Sequence, residues 1–134
     1  MSCAVLYTVN TQPTVATLDQ PVNLGGAVRR KNCGITADGT MIQLQDPGYY
    51  TVDVGATYTA AAGNVTIQLL QDGIPVPGAF ATETVATANT EVHTVSFPAV
   101  VRVNCSCSAP ASLTVVANTT APTFSRLAVR VEKI

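Results

Sequence analysis

Few side chains in this 134-residue sequence are equipped for chemistry. There is one histidine, His93, and there are four cysteines, Cys3, Cys33, Cys105 and Cys107. A catalytic nucleophile needs a base within hydrogen-bond reach and a third group to orient that base. On an extended strand His93 shares a face with Val95 and Phe97, while Ser96 points the other way. His93 therefore reads first as a histidine packed in the core or on a subunit interface, with a catalytic or pH-sensing role as the sharper alternative. Cys105 and Cys107 fall on one strand face, roughly 6.5–7 Å apart, a separation that suits no disulfide between them. A zinc site would need two more ligands, for which only Cys3, Cys33 and His93 are available. Their parity continues that of Val101 and Val103, which makes them small inward-facing apolar residues. A disulfide to Cys3 or Cys33 and a metal site stay open beside that reading, and so does the redox state of all four.

Arg29-Arg30-Lys31 gathers three of the seven basic residues. The triplet could contact an acidic partner, such as a capsid surface or a glycan carboxylate, or simply be a solvated segment before a strand. It is too short to serve as a nucleic-acid tract. Asp38, Asp46, Asp53 and Asp72 are scattered, mostly in turns, and lack the spacing of a calcium loop. No glycine motif for phosphate and no supported carboxylate pair is present. No cofactor or metal is expected, and an enzyme is the least supported class.

The elements that position these residues are strands. Tyr50, Val52, Val54, Ala56 and Tyr58 alternate with Tyr49, Thr51, Asp53, Gly55 and Thr57, a period of two that predicts a strand over 48–58. The same alternation runs through Val65, Ile67 and Leu69, through Ala99 to Ser108, and through Arg126 to Glu132. Asp38-Gly39 and Asp72-Gly73 are hairpin signals, and Asp46-Pro47-Gly48 is a turn leading into the best strand. Pro75, Pro77 and Gly78 interrupt the region after the second hairpin signal. Ala60-Ala61-Ala62-Gly63 reads as a loop. Strands at intervals of about 8–12 residues predict one all-β sandwich or barrel. Pro13 and Pro21 fragment residues 1–26, which read as an edge strand or as an arm ordered against a neighbour.

Composition narrows the function. Only 11% of residues are charged and the formal net charge is −1, against about 25% charged in an ordinary soluble domain. So balanced a chain offers no field for nucleic acid or an anionic membrane, and a nearly neutral surface tends to associate. No run approaches the ~20 apolar residues of a membrane helix, so no membrane insertion is expected. The start of the chain lacks the basic leader of a signal peptide, which points to synthesis in a cytoplasm.

Ile42-Gln43-Leu44 followed by Asp46-Pro47-Gly48-Tyr49-Tyr50-Thr51-Val52 resembles the C1q/TNF-like jelly roll, in which a Pro-Gly-x-Tyr turn opens a central strand. Gly63-Asn64-Val65-Thr66-Ile67-Gln68-Leu69 and Asp72-Gly73-Ile74-Pro75-Val76-Pro77-Gly78 look like its bacterial and phage branch, which includes the C-terminal domains of collagen-like exosporium glycoproteins. Leu127 to Ile134 is similar to the closing strand of such domains. The likeness covers about residues 27–134. It implies an antiparallel jelly-roll β-sandwich of ten-strand type, assembled as a homotrimer, with no catalytic set to carry over. This chain has no Gly-X-Y stalk and lacks the aromatic richness of the eukaryotic cytokines. The expected protein is thus a non-enzymatic structural component of a phage or prophage virion surface, a head-decoration or fibre-head protein attached through residues 1–26. In the trimer Tyr49, Thr51 and His93 are candidate interface residues, and Arg29, Arg30 and Lys31 candidate contacts to a partner. The alternatives are a module binding a host glycan or receptor through loops 59–64 and 86–91, and a bacterial exosporium or cell-surface component.

Overall fold

The computed structural model describes residues 5–31, 34–104 and 111–134. All four cysteines, and with them the thiol, disulfide and zinc readings, lie outside the described residues. Two antiparallel sheets pack face to face. Among the described residues ten strands have four residues or more, and an eleventh has two. The six-stranded sheet runs in the order β3 (Gly26–Lys31), β1 (Val5–Asn10), β11 (Pro122–Lys133), β6 (Gly48–Ala60), β9 (His93–Val103), with β2 (Thr14–Val15) paired to β11. Facing it are β4 (Ile35–Asp38), β5 (Met41–Leu44), β10 (Ala111–Asn118), β7 (Gly63–Gln71) and β8 (Ile74–Val85), in that order.

The longest strand is the one with the cleanest alternation. In β6 Tyr50, Val52, Val54, Ala56, Tyr58 and Ala60 are buried, and the intervening residues are not. Its start is fixed locally. Gly48 adopts φ 137°, open to glycine, and the Tyr50 hydroxyl donates to the Asp46 carbonyl at 2.6 Å across the turn. At the other end the chain turns over Ala61-Ala62 into β7, passing from one sheet to the other. β7 then folds back on β8 through Asp72-Gly73, both at positive φ (53° and 81°), as a two-residue type I′ hairpin requires. The other hairpin, β4 to β5, turns on Gly39-Thr40, one residue later than Asp38-Gly39, with Asp38 opposite Met41.

Two expectations are corrected. Pro75, Pro77 and Gly78 do not interrupt a strand: β8 runs through them from Ile74 to Val85. It is an edge strand, so missing N–H groups can face away from the ladder, and the register shift between Gln68 and Leu70 of β7 absorbs the distortion. Pro98 is tolerated in β9 because that strand also ends its sheet.

Nor is the N-terminal segment a separate arm or an edge strand. β1 lies between β3 and β11, with six register partners on β11. Leu6 and Thr8 are wholly buried. Residues 11–24 then cross from the first sheet to the second. Their amides are tied down on the way: Ala16 donates to Pro122, Asp19 to Ala117, Val22 to Val115 and Leu24 to Gly39. Asn10 anchors this crossing, its Nδ2 donating to the Asn23 carbonyl at 2.9 Å. Val22 and Leu24 belong to the same core as Leu127 and Val129. Proline fragmentation concealed a segment whose backbone bonds run mostly to distant strands.

Truncating Leu6 tests this integration. Leu6→Ala should cost about 2–5 kcal/mol in a denaturant titration, as for any fully buried leucine. An unchanged midpoint would mean that the segment is an appendage after all.

Candidate functional site

Two places collect the residues singled out in the sequence. The first is the outer face of the six-stranded sheet. On β6 it presents Tyr49, Thr51, Asp53, Gly55, Thr57 and Thr59, the side opposite the core. β9 contributes Thr94, Ser96, Pro98, Val100 and Arg102, opposite Thr57, Gly55, Asp53, Thr51 and Tyr49 in register. Tyr49 is 50% exposed and Val100 60%. An apolar patch therefore stands at the end of this face, bordered by Ile134, whose amide donates to the Tyr49 carbonyl at 2.9 Å. Beside it a shallow cleft of about 420 Å³ opens between β9 and the β7–β8 hairpin, lined by Ile74, Pro75, Pro77, Val100 and Arg102.

The charged residues of this face lie along it. Across the strands run Arg29, Tyr7, Arg130, Asp53 and Pro98 as register partners. Arg130 pairs with Asp53 through Nη2 and Oδ2. Arg126 spreads over Gly55, where a side chain's Cβ would meet its guanidinium at 3.4 Å. The Arg102 guanidinium lies 5.7 Å from the centre of the Tyr49 ring, a cation–π distance. Arg29, Arg30 and Lys31 form the edge strand β3, a position where basic residues also discourage edge-to-edge pairing.

The near-zero charge sum conceals a segregation. All seven basic residues are on strands of the six-stranded sheet, with two of the eight acidic ones, Asp53 and Glu132. Seven against two leaves that sheet at +5 and the remainder of the chain at −6.

His93 is not brought together with Tyr49 and Thr51. It opens β9 opposite Tyr58 and points to the core side, at the mouth of the sandwich. Its ring stacks on Tyr58 (centroids 5.9 Å, interplanar angle 20°), and Tyr58 meets Phe124 edge-on at 6.1 Å. His93 Nε2 is 3.0 Å from Glu91 Oε1, and Nδ1 is 3.9 Å from Glu83 Oε2. This is the second place, and Glu83 and Glu91 are its members that sequence reasoning missed. Burial, with Glu83 nearby, pushes the Tyr58 hydroxyl up to about 12. Glu91 is held below the usual carboxylate range by the amide of Thr87 and then by His93. The loop from 86 to 92 is further hung on the β6 end by the Asn89 amide, which donates to the Ala60 carbonyl at 2.8 Å. The apical loops 59–64 and 86–91 are thereby neighbours. Among the described residues no group of His, Cys, Asp and Glu is arranged to hold a metal, and no helix is long and apolar enough to cross a membrane.

No family model and no curated protein matches the chain. Solved structures do match. The globular domain of zebrafish complement 1qA aligns at TM-score 0.69 and 15% identity, over 98% of this chain and 96% of that one. Murine APRIL at pH 8.5 aligns at TM-score 0.72 and 13% identity, over 98% of both chains, and at pH 5.0 at 0.70 and 14%. The fold is a C1q/TNF-like jelly roll. The alignment covers nearly the whole jelly roll, the N-terminal segment included, which agrees with the place of β1 inside its sheet. Identities this low establish architecture alone.

Glu91 makes the end of this jelly roll acid-sensitive. A carboxylate held low in the folded state contributes above its unfolded value and loses that contribution as pH falls through the folded one. As pH falls below the ordinary glutamate range the Thr87 amide should therefore exchange faster, after correction for its intrinsic rate. Glu91→Gln should remove that acid step, which amide exchange followed by NMR reads directly.

Proposed function

We propose that this chain is a non-enzymatic structural protein that assembles as a homotrimer on the surface of a particle, as a phage or prophage head-decoration or fibre-head protein. One observation carries the reading: the outer face of the six-stranded sheet exposes an apolar patch beside arginines that lie on their own sheet. Tyr49 and Val100 stand exposed there, Gly55 is a small residue between them and the far end, and Arg102, Arg126 and Arg130 lie against the sheet. Aromatic residues and arginine are the types enriched in interface cores, and lysine is depleted there. Cyclic symmetry lets one such face close a ring with a face of its neighbour, and an obligate interface buries more than ~2,000 Å² in total.

The C1q/TNF-like fold supports the three-fold state, and the reading of residues 63–69 and 72–78 as resembling the bacterial and phage branch is what favours the virion. Residues 5–24 are engaged within the fold, so contact with a platform falls to the exposed edge strand bearing Arg29, Arg30 and Lys31. A second reading has one observation in its favour. Loops 59–64 and 86–91 meet through Asn89 and Ala60, giving a joined apical surface that could hold a host glycan. Its mark would be saturable binding on a glycan array, lost on replacing either loop.

Sedimentation at micromolar concentration tests the leading reading, with a trimer expected and a monodisperse monomer overturning it. Val100→Asp should shift the trimer to monomer. Phe80→Asp, on the equally exposed outer face of the other sheet, should leave it assembled.

A further inference from the structure

We propose that His93 is a pH-operated clamp: when its imidazole takes up a second proton it bridges Glu83 and Glu91 and fastens the loop 86–92 to the mouth of the sandwich. His93 is packed, its ring stacked on Tyr58, and both of its nitrogens point at carboxylates. Nε2 faces Glu91, in the loop, and Nδ1 faces Glu83, on β8 of the opposite sheet. Glu83 reaches the same space because it pairs with the buried Val65 and shares that residue's inward side.

A neutral imidazole has one N–H and one lone pair. It can donate to one carboxylate only, and the 3.0 Å contact assigns that donation to Glu91. The lone pair then confronts Glu83 across 3.9 Å, a separation no hydrogen bond spans. The imidazolium donates from both nitrogens, so the Glu83 contact turns from repulsive to charge-assisted. Three elements are joined at that point: β8 of one sheet, the loop, and β6 of the other sheet through the stacked Tyr58. Among the described residues the groups that face His93 are Tyr58 from β6, Glu83 from β8 and Glu91 from the loop. Tyr58, pushed up to about 12, stays neutral while histidine titrates, and its ring face receives the cation at 5.9 Å. Glu91, held low, stays charged.

The imidazolium holds both carboxylates and the neutral ring only one, so the charged form fastens the loop more tightly. The loop is therefore tight in mild acid and loosened above neutrality. Because both carboxylates are partly exposed, each ion pair is screened, and the effect is a factor of about two to five.

The test is amide exchange of Thr87 and Asn89 in the intact protein, corrected for intrinsic rates, at about pH 5.5 and about pH 8. Protection about two- to fivefold greater at the lower pH is expected. The transition should track the Cε1–H resonance of His93, unambiguous because the chain has one histidine. His93→Gln keeps a donor for Glu91 and cannot charge, so it should flatten the profile. Glu83→Gln, at a half-exposed position that does not threaten folding, should weaken the slope while keeping the Glu91 contact. A wild-type profile without the slope overturns the clamp. So does a slope as steep in Glu83→Gln as in the wild type, or one that survives in a folded His93→Gln.

Discussion

The antiparallel pairing of β6 with β11 is the constraint on which the rest of this structure depends. These two strands pair along nearly their whole length at the centre of one sheet, and each places alternate side chains on opposite faces. Once Tyr50, Val52, Val54, Ala56 and Tyr58 are committed to the core, Tyr49, Thr51, Asp53, Gly55 and Thr57 must face outward. A slip of one residue would exchange the two sets. Partner strands inherit the choice, which is how Val100 comes to lie beside Thr51 and His93 beside Tyr58. The exposed apolar patch and the histidine site are thus consequences of one register, held on opposite faces of the same sheet.

Much of the register was legible, because clean alternation is a direct image of a half-buried strand. Where it broke, the cause is local. Phe124 and Leu127 are both buried though three residues apart, since a bulge between Phe124 and Arg126 inserts an extra residue. Alternation read backward from Leu127 therefore fails at that point. β8 was hidden by Pro75 and Pro77, whose tolerance depends on an edge position that no local pattern encodes. The interior place of β1, read as an edge strand or arm, was hidden because its support is non-local: on β11 it pairs with residues more than a hundred positions away.

The candidate sites divide in the same manner. The outward direction of Tyr49 and Thr51 follows from parity alone. The grouping of Glu83, Glu91 and His93 does not, because β8 and β9 belong to different sheets and only the crossover between them brings the three together. One signal was available: two glutamates and the single histidine fall within eleven residues of an otherwise charge-poor chain.

Scarcity of charge also takes on a spatial meaning. The seven basic residues are not scattered to keep the protein dispersed but confined to one sheet, and five of the seven are arginine. Both lysines, Lys31 and Lys133, end their strands. Arginine is the cation that tolerates a covered surface, because its flat, weakly hydrated guanidinium can lie on an aromatic ring or fork onto a carboxylate. Arg102 on Tyr49 and Arg130 on Asp53 are placed in those two ways. A strongly hydrated ammonium at either position would resist burial. Arg102, Arg126 and Arg130 each already rest on a group of their own sheet, the arrangement in which a cation is least costly to cover.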